Sequence, residues 1–153
     1  PANKLIFPEG PEYVIMSYNL YGMHTKEAGP KADKAFIDTI LGRVDRLPRP
    51  HSIAFATGGC IWEVNQSPRM VTEEEARDLA KSLRAEVRRD GASQTLQFEG
   101  RRADGTAVTG WYADSETLKA WKQQALEHGV DGISLWRFGG NDHIKAYYAG
   151  LMP

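Results

Sequence analysis

Residues 13–19 read YVIMSYN, and residues 132–142 read GISLWRFGGND. Each is a compact apolar run that ends on an aromatic side chain followed by polar groups. Tyr18 and Asn19 close the first; Trp136, Arg137, Asn141 and Asp142 close the second. Between them, the apolar run SIAFAT at 52–57 leads to Trp62 and Glu63. Aromatic faces set beside amides, a hydroxyl and a carboxylate suit a neutral sugar. The ring stacks on C–H patches while the polar groups take the hydroxyls. The doublet Gly139-Gly140 lacks the spacing of a phosphate-cradling loop. His24, His51, His128 and His143 are scattered without ligand spacing, so no metal is expected. The lone Cys60 excludes an internal disulfide and a cysteine metal cluster, and reads as a small buried hydrophobe. No cofactor is implied.

These residues need strands to present them. The runs at 13–19, 52–57 and 133–136 are short and apolar throughout, which predicts buried strands. Residues 31–47 carry Ala35, Phe36, Ile40, Leu41 and Val44 in a 3.6-residue rhythm, a helix stopped by Pro48 and Pro50. GGCIWEVNQSP at 58–68 reads as a loop. Thr72 with Glu75 forms a capping box for a helix that runs to about residue 84. From 85 to 112, AEVRRD, TLQFEG and TAVTGWY alternate apolar with polar around an ADG turn, which predicts a small antiparallel sheet with one wet face. Asp114 or Ser115 caps a helix with Leu118, Trp121, Ala125 and Leu126 on one face, ended by Gly129. Asn141 or Asp142 caps a last helix to about residue 150.

Buried strands that alternate with helices pair in parallel through right-handed crossovers. Three such strands leave two edges and an apolar face uncovered. The expectation is a piece of a larger closed barrel, or a chain completed by association. In an α/β barrel the site lies at the C-terminal ends of the strands, where the candidates above fall.

The bulk numbers set the class. The 153 residues suffice for one ordinary domain. Nineteen Lys plus Arg against 20 Asp plus Glu leave no footprint for nucleic acid or an anionic membrane. A hydrophobic fraction of 41% and a charged fraction of 25% are those of a globular protein, and no apolar run reaches membrane-spanning length.

MSYN at 16–19 resembles the M-x-Y-D that ends the sixth strand in glycoside hydrolase family 18, the chitinase family. GISLWRFGGND resembles that family's eighth strand, whose Trp forms the floor of the site. WYADSETLKAWKQQALEHGVDG at 111–132 is similar to the branch that contains spore-cortex peptidoglycan hydrolases. The resemblance runs in order over nearly the whole chain. It implies a partial (β/α)8 TIM barrel, about strands six to eight, with a small antiparallel α+β insertion between the last two strands. Residues 1–70 and 113–153 would be barrel, and 71–112 the insertion. It implies cleavage of β-1,4-linked N-acetylglucosamine polymers, peptidoglycan or chitin, by a retaining mechanism in which the substrate's own N-acetyl group is the nucleophile.

Residue by residue, Tyr18 matches the tyrosine that hydrogen-bonds the acetamido group. Asn19 stands where the family often has Asp, so it binds as an amide and cannot act as a charged base. Trp136 matches the floor under the N-acetyl sugar, and Met16 the residue packed beneath. Trp62, Glu63 and Arg137 would line the cleft. The family's general acid is the Glu that closes a D-x-x-D-x-D-x-E run on the fourth strand, and no such run occurs in these 153 residues. The expected partners are an N-acetylglucosamine-containing polysaccharide and either the missing N-terminal half of the barrel or a second copy of the chain. The resemblance favours a secreted, cell-wall or spore-envelope setting. Two other readings stay open: a non-catalytic carbohydrate-binding protein and a self-associating half-barrel.

Overall fold

The computed structural model describes residues 6–44, 47–137 and 139. In chain order its elements are β1 (Tyr13–Met16), α1 (Lys34–Val44), β2 (His51–Ala56), β3 (Gly58–Glu63), β4 (Arg69–Val71), α2 (Glu73–Ser82), β5 (Val87–Arg89), β6 (Leu96–Arg101), β7 (Ala107–Ala113), α3 (Ser115–Glu127) and β8 (Gly132–Trp136). The helix expected to start at Asn141 or Asp142 lies outside the described residues.

The three apolar runs form a parallel sheet in the order β1-β2-β8. Its register aligns Met16 with Ala54 and Ser134, and Ala56 with Trp136. Side chains alternate along a strand, so aligned residues share a face. Ile53 and Phe55 of β2, with Ile133 and Leu135 of β8, pack against Ile37 and Leu41 of α1 and Leu118, Trp121 and Ala125 of α3. Phe55 and Trp121 meet with ring centroids 5.5 Å apart. The opposite face carries Val14 and Met16 of β1, the small Ser52, Ala54 and Ala56 of β2, and Ser134 and Trp136 of β8. No described element covers it: Val14 is 50% exposed, Met16 57% and Trp136 56%.

The remaining strands form an antiparallel sheet in the order β4-β3-β7-β6-β5, with α2 on one side. Ala76 and Ala80 of α2 meet Ile61, Val71, Phe98, Val108 and Tyr112 in a second core. The capping box that starts α2 is present: the Glu75 N–H donates to Thr72 Oγ1 at 3.1 Å, and the Thr72 N–H donates to the Glu75 carboxylate at 2.8 Å. Asp114 caps α3 in the same way.

Residues 58–63 are not a loop but β3, the strand between β4 and β7 in this sheet. The glycine doublet that reads as loop punctuation is what lets β3 run so close to its neighbours. A Cβ on Gly58 would sit 2.2 Å from the Val71 carbonyl, and one on Gly59 1.8 Å from the Trp111 carbonyl. Every residue of β3 is buried, so no alternation betrays the strand. The antiparallel sheet thus begins at Gly58, ahead of residue 71. Helix α1 starts at Lys34, because Lys31 and its neighbours belong to the loop that follows β1.

Candidate functional site

The open face of the parallel sheet fixes where the candidate residues go. The Ser17 N–H donates to the Ala54 carbonyl at 2.8 Å, which extends the β1–β2 ladder one residue beyond the strand. Alternation then puts Tyr18 on the same face as Met16, and Trp136 reaches that face from β8. Between them β2 offers only the methyl group of Ala56. This leaves a cavity of about 200 Å³, lined by Tyr18, Asn19, Lys31, Ala56, Met70 and Trp136 with part of the loop after β1. Two sequence-distant ends, Tyr18-Asn19 and Trp136, are thereby brought together. Tyr18 is half-buried and Asn19 exposed.

Trp136 is held by a residue that the sequence did not single out. The Thr57 N–H donates to the Trp136 carbonyl at 2.7 Å. The Thr57 hydroxyl donates to the Arg137 carbonyl at 2.6 Å and accepts from the Arg137 N–H at 3.1 Å. Thr57 therefore grips the backbone on both sides of the Trp136–Arg137 peptide, which is cis. Arg137 lies in a smaller cleft of about 40 Å³ on the other side of Trp136, with Thr57, Met70 and Glu75. Met70, from β4, contributes to both spaces and brings the antiparallel sheet to the site wall.

Trp62 and Glu63 lie apart from this cavity. The Trp62 indole N–H donates to the Thr25 carbonyl at 3.1 Å and ties the loop after β1 to β3. Both oxygens of the Glu63 carboxylate accept from Arg102, at 2.7 and 2.8 Å, and Arg69 stands 3.8 Å away. The hydrogen bonds from Arg102 hold the Glu63 carboxyl below the usual glutamate range against the opposing effect of burial. Met16 sits one strand position before the cavity on the same face. Asn141 and Asp142 lie outside the described residues. Cys60 is buried, and burial pushes its thiol pKa up despite the nearby Lys31 side chain. Among the described residues no group of three or more His, Cys, Asp and Glu is placed to hold a metal ion, and no helix is long and apolar enough to cross a membrane.

Residues of this site that the sequence did not single out include Thr57, Met70 and Lys31. Thr57 is the last residue of the apolar run SIAFAT, a place where a strand end on the site rim is expected. Nothing local marked the other two.

No protein-family model and no curated protein matches the chain. Solved structures do. A chitinase from Chromobacterium violaceum superposes with a TM-score of 0.80 and 24% identity, over 92% of this chain and 46% of that one. The spore cortex-lytic enzyme SleL of Bacillus cereus gives a TM-score of 0.75 and 20% identity over 83% of this chain and 31% of its own. A glycoside hydrolase family 18 N-acetylglucosaminidase from Paenibacillus barengoltzii gives 0.65 and 16%, over 90% and 48%. The chain spans less than half the length of each. It has the mixed α/β fold found in part of these chitinases and cortex-lytic enzymes.

Proposed function

We propose that the chain is part of a family 18-like glycoside hydrolase that cleaves β-1,4-linked N-acetylglucosamine polymers, peptidoglycan or chitin. In this reading the parallel sheet supplies strands six to eight of an eight-stranded barrel, its open face is the barrel interior, and 71–112 belongs to an insertion carried on the rim. The observation that carries the reading is that Tyr18, Asn19 and Trp136 line one cavity on that face. The fold shared with chitinases and a cortex-lytic enzyme supports it.

The substrate's acetamido oxygen attacks its own anomeric carbon while the leaving sugar departs. The Tyr18 hydroxyl hydrogen-bonds the acetamido group, orients it for attack and stabilises the charge that develops. Asn19 binds the acetamide or a sugar hydroxyl through its amide. Trp136 lies under the N-acetyl sugar as a stacking floor, and Met16 supports the site from one turn of the pleat below. Arg137 lines the cleft beyond Trp136. For Trp62 and Glu63 the assignment to the cleft rests on the resemblance alone. The proton for the leaving group comes from outside these 153 residues. General acid help is worth roughly 10²–10⁴-fold, so the chain by itself hydrolyses very slowly or not at all.

Kinetics of Tyr18→Phe in the protein at its full natural length test the role. A catalytic hydrogen bond of this kind is worth on the order of 10²–10³ in kcat, with KM little changed. Unchanged kcat would remove Tyr18 from the mechanism. A second reading, a carbohydrate-binding protein without turnover, is favoured by the uncharged Asn19 where the family often has a carboxylate. Oligosaccharide binding with no hydrolysis at full length would select it.

A further inference from the structure

Tyr21 is an aromatic of the cavity to which the proposed chemistry gives no role. It lies in the loop between β1 and α1 and lines the same space as Tyr18, Asn19 and Trp136. The loop that carries it is held at its base and at its tip. At the base the Leu20 N–H donates to the Lys31 carbonyl at 3.0 Å, and the Tyr21 N–H to the Pro30 carbonyl at 3.2 Å. At the tip Thr25 closes a turn: the Gly22 N–H donates to Thr25 Oγ1 at 3.2 Å, and the Thr25 N–H to the Gly22 carbonyl at 3.0 Å. The Trp62 indole then ties that turn to β3 through the Thr25 carbonyl.

The side chain is placed as firmly as the backbone. A Cβ on Gly29 would sit 2.5 Å from carbons of the Tyr21 ring. The half-buried ring therefore rests on the bare backbone of Gly29, and a larger residue there would displace it. Gly29 is not among the glycines with positive φ, so the ring, and not the backbone conformation, calls for glycine at this position.

An aromatic ring offers a sugar a surface for its C–H patches, and a ring already immobilised loses little freedom when the sugar arrives. We propose that Tyr21 is a further substrate-binding residue, a second aromatic surface beside Trp136 for the N-acetylated sugar in the cavity, with Gly29 as the seat that sets its ring. The inference rests on the sugar-binding reading of the cavity and adds to it a contact from the loop after β1.

Calorimetric titration of the protein at its full natural length tests the contact. The probes are chitobiose and N-acetylglucosaminyl-N-acetylmuramic acid, and whichever binds the parent is used for the variants. Tyr21→Phe keeps the ring and should keep most of the affinity. Tyr21→Leu keeps apolar bulk over Gly29 but loses the ring. Its affinity should fall about three- to ten-fold, on the scale of an aromatic stacking contact. Gly29→Ala leaves Tyr21 in the chain but displaces its ring, and should bring a fall of the same size. If Tyr21→Phe and Tyr21→Leu bind alike, the ring is not the contact and the inference is overturned, while Trp136→Ala still reports on the sugar site. Parental affinity in Gly29→Ala would overturn it too. A parent that binds neither probe would overturn both this inference and the proposed function. The comparison of Phe with Leu at position 21 decides the matter even if Gly29→Ala fails to fold.

Discussion

Thr57 does in this site what no aromatic can do for itself. Trp136 is 56% exposed, so packing alone does not fix its ring. The backbone around it is fixed instead by one threonine, itself 7% exposed, which donates to the carbonyls of Trp136 and Arg137 and accepts from the Arg137 N–H. Thr57→Val keeps the shape and the backbone N–H but removes the hydroxyl. It leaves the Arg137 N–H and carbonyl without that partner, at a cost of about 1–3 kcal/mol. The expected result is a modest fall in the denaturation midpoint, with weaker binding of N-acetylglucosamine oligomers. The binding loss should resemble that of Trp136→Ala in kind and be smaller in size. Thr57→Ser, which retains the hydroxyl, should restore binding, and binding that Thr57→Val leaves unchanged would show that the clamp does not position Trp136. The aromatics and the amide were legible in the sequence because their chemistry is carried by residue type at a strand end. Thr57 and Lys31 were not. A hydroxyl becomes a clamp, and a lysine part of the cavity wall, only through the register of β2 with β8 and the path of the loop after β1.

At the level of elements, the three parallel strands and the helices α1, α2 and α3 follow from periodicity and caps. The strand β3 does not. It is buried on both faces, between α2 on one side and the loop after β1 on the other, so hydrophobicity gives no period of two. Its end is secured electrostatically. Glu63, 9% exposed, is clasped by Arg102 at the β6–β7 turn. Because the hydrogen bonds from Arg102 lower the Glu63 pKa, the folded value lies below that of an unfolded glutamate, near 4.3. The pair therefore adds stability above that pH and loses it as the pH falls and the carboxylate takes up a proton. Glu63→Gln should be less stable than the parent at neutral pH. The gap should narrow as the pH falls below the unfolded glutamate's range and the parent's carboxylate takes up a proton. Urea midpoints measured from neutral pH down through the acid range check the sign, and two curves that stay parallel throughout would show that Glu63 is not the titrating group.

Among the described residues the molecule has one feature that its parts do not explain: a parallel sheet covered on one face only. Such sheets are normally covered on both. Among the described residues the outer edges of β1 and β8 are unpaired, and Val14, Met16 and Trp136 stand half-exposed on the bare face. Covering each of these side chains would contribute about 1 kcal/mol, a strong incentive for more chain to close over them. If the face is the interior of a barrel, Trp136 is open to solvent in these 153 residues alone and screened in the protein at its full natural length. Acrylamide quenching of tryptophan emission reads this directly. Trp62 and Trp121 are 8% and 2% exposed, and Trp111 is half-buried, so most of the accessible emission comes from Trp136. Strong quenching in the isolated chain that falls away at full length supports a closed barrel. Equal quenching in both would mean that the face stays open and works as a binding surface. Weak quenching in the isolated chain, with a molecular mass twice that of one copy, would mean that a second copy has taken the place of the missing strands.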